Sequence, residues 1–169
     1  MNVIQRYRSK SMKKLVALVA AGIIGLGSVS VAHSEGLFKA NEANLLLFGT
    51  WVDDQKDQWG GGLGFNYFLT QDLGLGVSTH MENVDGSFID NVSGEIIFRL
   101  PLGKLPLAPY GIGSGGYSWD HEKWFAGGGG GLEFRFSKTF GIFGDAQYLF
   151  YDGGRIDGWG ARAGLRLGM

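Results

Sequence analysis

From Asn44 to Met169 the chain alternates apolar side chains with polar or small ones at a period of two, broken at intervals by short polar or acidic stretches. Successive side chains point to opposite faces of a strand, so this pattern predicts strands with one apolar face each. The clearest case closes the chain: Trp159, Ala161, Ala163, Leu165, Leu167 and Met169 fall on one side, and Gly160, Arg162, Gly164, Arg166 and Gly168 on the other. Eight segments follow the same rule: 44–52, 59–69, 73–82, 91–100, 108–119, 124–136, 140–151 and 158–169. Each is near the roughly nine to eleven residues that a tilted strand needs to cross a bilayer. A last strand left unpaired would be a sticky edge, and closure onto the first strand removes it. The expected fold is therefore all-β, an eight-stranded antiparallel up-and-down barrel.

The connections alternate in kind. Those at 53–58, 83–90, 120–123 and 152–157 are acidic and those at 70–72, 101–107 and 137–139 are not, which distinguishes the two ends of the barrel. A weak repeat supports the count, because Gly60 to Gly74 and Gly129 to Gly141 both run Gly-rich strand, aromatic pair, tight turn, Gly-containing strand. The fifth segment is out of phase: Tyr110 and Ile112 are even while Tyr117 and Trp119 are odd. A bulge near Gly115 and Gly116 is expected to reconcile them.

Alternation alone does not say whether the apolar face points in or out. Three observations favour out. Trp51, Trp59, Trp119, Trp124 and Trp159 all lie within two residues of an acidic connection, as an aromatic girdle at one membrane interface requires. Phe65, Tyr67, Phe98, Tyr110, Phe134, Phe136 and Phe140 are expected to form the opposite girdle. Lys39, Lys56, Lys104, Lys123 and Lys138 fall outside the segments, whereas a soluble sheet wears lysine on its wet face. Charges inside the segments are few and mixed, and Glu95, Arg99, Glu133, Arg135, Asp145, Arg162 and Arg166 read as a lumenal ion-pair network, since guanidinium suits confined carboxylate pairing. Eight strands leave a lumen just wide enough for side chains to fill. Gly60, Gly62, Gly64, Gly74, Gly76, Gly127, Gly129 and Gly131 are expected on the inward face, either to make room for arginines or to let a tight wall bend.

The amino terminus adds a location. Arg6, Arg8, Lys10, Lys13 and Lys14 precede an uncharged run from Leu15 to Val31 and then Ala32-His33-Ser34, the layout of a secretory signal peptide over 1–34. A short periplasmic leader, 35–43, and the barrel, 44–169, follow. Without the signal the chain carries 10 basic against 16 acidic residues, a net charge near −6, so nucleic acid is not an expected partner. There is no cysteine, and most of the 31 glycines sit within patterned segments rich in aromatics, which excludes a disordered linker.

The whole pattern resembles the small eight-stranded bacterial outer-membrane barrels, the OmpA-type transmembrane domain and its porin-like relatives. Arg162, Gly164, Leu167 and Met169 match the carboxy-terminal signal that the barrel assembly machinery reads in that class, with Met169 where Phe or Tyr is usual. The resemblance implies a cell outer-membrane location, lipid and lipopolysaccharide as surroundings, and a monomer. It implies a structural, non-enzymatic barrel serving envelope integrity or surface contact; the alternative is a narrow porin-like channel for ions or small solutes, and a lipid-A-modifying hydrolase ranks third. Ser78, His80 and Glu82 suggest the hydrolase, but neighbours on one strand face lie about 7 Å apart, and the His-x-Ser order of such enzymes is reversed. No cofactor and no resident metal are expected, because no phosphate loop is present and the histidines are scattered. The rim holds Asp53, Asp54, Asp57, Asp85, Asp90, Asp120, Glu122, Asp152 and Asp157 against Lys56, Lys123 and Arg155, a charge that Mg²⁺ or Ca²⁺ could bridge to lipopolysaccharide phosphates.

Overall fold

The computed structural model describes residues 36–53, 57–81, 89–119, 122–152 and 157–169. The signal segment, the tips of the four acidic connections and Glu82 lie outside these residues. Eight strands run in chain order: β1 Glu42–Asp53, β2 Asp57–Phe68, β3 Leu73–Met81, β4 Asn91–Arg99, β5 Leu107–Ser118, β6 Lys123–Arg135, β7 Phe140–Tyr151 and β8 Gly158–Gly168. Each pairs antiparallel with its sequence neighbours, and β8 closes on β1, with Asn44 opposite Gly168 and Val52 opposite Gly160. This is the expected all-β, eight-stranded closed barrel. The expected ends shift by one or two residues, so that Glu42 joins β1 and Lys123, expected outside the strands, begins β6.

The two repeated segments form the hairpins β2–β3 and β6–β7, and one turn chemistry serves both. The Thr70 hydroxyl accepts from the amides of Asp72 and Leu73 at 3.2 and 2.9 Å. The Ser137 hydroxyl accepts from Thr139 and Phe140 at 3.3 and 3.1 Å. A short hydroxyl bonding its own turn backbone is what favours Ser and Thr at such positions.

The apolar face points out. Val77 is 56% exposed, Ile96 60% and Trp124 67%, a surface that water would not tolerate over a whole barrel but that hydrocarbon accepts. On the inward face lie the buried Asn44, Asn66, Glu95, Arg99, Glu133, Arg135, Asp145 and Arg166. Among the described residues no helix is long and apolar enough to cross a membrane.

The expected bulge in β5 is absent. Pairing with β4 runs unbroken from Asn91 opposite Ser118 to Arg99 opposite Tyr110, and pairing with β6 is equally continuous. The phase change is one of composition: Tyr110 and Ile112 are lumenal and buried, while Tyr117 and Trp119 face outward. Tyr110 therefore leaves the expected lower girdle. Its hydroxyl donates to Asp145 Oδ2 at 2.9 Å, which is how a buried phenol is satisfied.

The inward glycines answer to the wall, not to the arginines. A Cβ at Gly60 would lie 1.7 Å from the Met81 carbonyl oxygen, and one at Gly129 would lie 2.0 Å from that of Ala146. At Gly62, Gly74 and Gly131 the rings of Phe48, Phe68 and Tyr110 are also within 3 Å. At these five positions neighbouring backbone or a ring stands too close for a side chain, whereas at Gly64 and Gly76 the nearest atoms are 3.2 and 3.3 Å away.

Candidate functional site

Among the described residues the buried charges gather in the lumen, where their side chains form two ionic layers. The layer at the end holding the first and last described residues is built from Glu42 at the start of β1, Arg99 at the end of β4, Glu133 and Arg135 at the end of β6, and Arg166 in β8. Glu133 accepts from Arg135 Nε at 2.5 Å and pairs with Arg166 Nη1 at 3.0 Å and Arg99 Nη1 at 3.6 Å. Glu42 pairs with Arg135 Nη2 and, at 3.4 Å, with Arg99 Nη1. Arg99 and Glu133 are both 0% exposed. The Arg99 guanidinium also lies over the Phe68 ring at 3.7 Å and the Phe38 ring at 4.8 Å. Cation–π contact supplies attraction where water has been removed.

The second layer turns on one arginine. Arg162 grips Asp145 with two parallel bonds, Nε to Oδ1 at 3.0 Å and Nη2 to Oδ2 at 3.1 Å, and reaches Glu95 Oε1 through Nη1 at 2.5 Å. This fork geometry is the reason arginine suits the place. Neutral donors complete the carboxylates: Ser78 Oγ donates to Glu95 at 2.7 Å and Gln147 Nε2 to Asp145 at 3.1 Å. Beside it lies a cavity of about 40 Å³ lined by Thr50, His80, Asn91, Glu95, Gln147 and Arg162, room for a few water molecules.

Apolar side chains fill the lumen between the layers. Leu46, Phe48 and Phe143 form one buried cluster, and Ile97, Tyr110 and Ile112 form another with Phe68, which stands opposite Glu42 in the first layer. Arg162 borders this zone over Phe48 at 5.2 Å, and Arg166 lies 5.7 Å from both Phe68 and Phe143. The seven charged residues named from the sequence are thus all lumenal but divide into two groups, and Glu95 and Arg99, neighbours on β4, belong to different ones. Glu42 and Phe38 were missed. Both are even-numbered, in phase with Asn44, Leu46 and Phe48, so carrying the period two residues further back would have found Glu42.

The Ser78 and His80 side chains do not engage each other among the described contacts. Ser78 Oγ bonds Ser93 Oγ at 2.9 Å and Glu95, and His80 Nε2 meets Asn91 Nδ2 at 2.7 Å. No group of three or more His, Asp or Glu converges as a metal-ligand set among the described residues.

Outside, the tryptophans stand at the end of the acidic connections, with Trp51 opposite Trp59 and Trp124 opposite Tyr117. Tyr117 packs edge-on against Trp119 and Trp124 at 5.7 and 5.2 Å, and Tyr148 against Trp159 at 5.4 Å. At the other end Phe134, Phe136 and Phe140 make a continuous group with centroids 5.0 and 5.5 Å apart. Of the rim acids, Asp54, Asp85 and Asp120 lie outside the described residues, with Lys56 and Arg155. Of the others, Asp90 is buried, and Asp157, though exposed, accepts the Tyr151 amide at 3.0 Å. In β8, Arg162 and Gly164 face the lumen and Leu167 faces outward; just past its end Met169 is exposed, and its amide closes on the Ala43 carbonyl at 2.9 Å.

A closed eight-stranded barrel with an apolar exterior, aromatic belts and a charge-packed lumen is a transmembrane β-barrel of the outer-membrane type. Solved structures with this fold include the N-terminal β-barrel domain of Pseudomonas aeruginosa OprF, 18% identical, covering 78% of this chain and 99% of that one with a TM-score of 0.63. The outer membrane protein OprG of the same organism is 14% identical over 78% of this chain and 97% of its own, at 0.53. A transmembrane β-barrel of de novo design is 16% identical over 78% and 98%, at 0.55. No family model and no curated relative matches the chain.

Proposed function

We propose that this protein is a structural barrel of a bacterial outer membrane, non-enzymatic, serving envelope integrity or surface contact. The observation that carries this reading is the lumen: two ionic layers with apolar side chains between them fill it, and the cavity beside Arg162 is only about 40 Å³. The outer-membrane location is supported by the apolar exterior with its two belts and by the fold shared with outer-membrane proteins. Single-channel recording on the refolded protein is the test. Silence is expected, and steady conductance would replace the structural reading with a pore.

A narrow pore is the second reading, favoured by the water-sized cavity beside Arg162. The surroundings we propose are outer-membrane lipid and lipopolysaccharide, with the acidic rim tied to lipid phosphates by divalent cations. We also propose that Arg162, Gly164, Leu167 and Met169 present the chain to the barrel assembly machinery. For the rim, chelator should lower stability in lipopolysaccharide bilayers less in a variant with Asp53, Asp54 and Asp57 changed to Asn than in wild type. Equal loss in both would remove the bridge.

A further inference from the structure

Residues 36–41 precede the barrel wall, yet they do not trail away from it. Phe38 is 6% exposed, and its ring lies 4.8 Å from the Arg99 guanidinium and 5.0 Å from that of Arg135. On either side of it, the Leu37 carbonyl accepts from Arg135 Nη1 at 2.9 Å and the Lys39 carbonyl from Arg99 Nη2 at 3.4 Å. The Lys39 amide donates to Glu42 Oε2 at 3.2 Å. The segment thus folds back over the lumen end and covers the lower ionic layer.

What folds it back is one residue. Asn41 has φ of 55°, in the left-handed region that asparagine tolerates better than other residues bearing a side chain, and its Oδ1 accepts from the Tyr67 hydroxyl at 3.1 Å. It stands directly before Glu42, the first residue of β1. Rotation there swings the segment without touching a strand.

The geometry points to residues 36–41 as a hinged strap that closes this end of the lumen and, when swung out, uncovers an anion-binding chamber at Arg99 and Arg135. The layer beneath survives its departure, because Arg135 keeps Glu42 and Glu133, and Arg99 keeps Glu133, the Gln71 carbonyl and the Phe68 ring. Two guanidinium N–H groups are then left facing the opening where peptide carbonyls had met them. Three guanidiniums, of Arg99, Arg135 and Arg166, stand there against two carboxylates, of Glu42 and Glu133. An excess of cationic donors in a confined mouth is answered by an anionic oxygen, carboxylate or phosphate. The strap supplies neutral oxygens in place of that anion.

The hinge gives the test, and the readouts do not depend on whether the barrel conducts. In detergent micelles, trypsin should cut slowly after Lys39 in the wild type, and about tenfold faster in Asn41→Val, because a β-branched residue disfavours the left-handed region. Asn41→Gly, which accepts that region, should stay slow. Phenylglyoxal, followed by mass spectrometry, should modify Arg99 and Arg135 in Asn41→Val and spare them in the wild type. Inorganic phosphate should slow that modification. Phe38→Ala, which removes the ring without altering the hinge, should resemble Asn41→Val and serves if the latter fails to refold. Equal cleavage and modification in wild type and in the refolded variants would overturn the strap, and modification indifferent to phosphate would overturn the anion chamber.

Discussion

The two ionic layers of the lumen solve the same problem by different means. At the strap end three arginines surround two glutamates, and Glu133, with no exposed surface, is shared by Arg99, Arg135 and Arg166. At the other end a single arginine holds two carboxylates, and hydroxyl and amide donors from Ser78, Tyr110 and Gln147 complete them beside a small cavity. The first layer relies on charge matched by charge and stacked on aromatic rings. The second spreads the same task over neutral hydrogen bonds. Removing one partner from a buried pair strands the other, and how much that costs depends on what else can reach it. In the strap-end layer Glu133 meets only arginines among the described contacts, so that layer should be the more brittle.

Glu133→Gln breaks the comparison hardest. It leaves three guanidiniums close together with Glu42 as the remaining carboxylate among them, and a loss of roughly 3 to 5 kcal/mol is expected for uncompensated buried charge. The measurement is urea unfolding of the refolded barrel in lipid vesicles, with heat-dependent mobility on gels as a second reading. Arg162→Ala should cost less, about 1 to 3 kcal/mol, because Glu95 keeps the Ser78 hydroxyl and Asp145 keeps the Tyr110 hydroxyl and the Gln147 amide as hydrogen-bond donors. If Arg162→Ala proved the more damaging, charge and not hydrogen-bond completion would set the strength of each layer.

The sequence made the wall legible because period two is a local property: each strand announces itself through its own residues, and all eight appear within one or two residues of their expected ends. The lumen was legible as a set of charges but not as two layers. Which carboxylate meets which arginine is fixed by stagger around the barrel, so Arg162 reaches Glu95 across 67 positions of sequence. The apolar zone was hidden for another reason. A rule that assigns apolar residues to the lipid face misplaces Tyr110, and makes Tyr110 and Ile112 look like evidence for a bulge, although the register of β5 is unbroken. A narrow lumen packs like a core, and Phe48, Phe68, Ile112 and Phe143 fill it.

Glycine offers the finest version of the same contrast, between the inner and outer faces of one wall. At Gly129, on the inner face, an added methyl would meet the Ala146 carbonyl oxygen at 2.0 Å and Gln147 Cα at 2.7 Å, backbone atoms that yield only if the strands part. Gly129→Ala should therefore destabilise by roughly 1 to 3 kcal/mol, as overpacking does. Gly113 is on the outer face of β5, opposite Ile96 and Gly128, and nothing lies within 4 Å of where its Cβ would stand. Its φ is not positive, so alanine fits the backbone without strain. Alanine also narrows the unfolded ensemble and adds a methyl to the lipid-facing surface, so Gly113→Ala is expected to stabilise the barrel by about 0.4 to 1 kcal/mol. Unfolding both variants in the same vesicles checks the pair, with opposite shifts of the urea midpoint expected. A loss at Gly113 equal to that at Gly129 would mean that the outer glycine is also required by a neighbour pressing on it, and the reading of the inner glycines as a consequence of curvature alone would have to be given up.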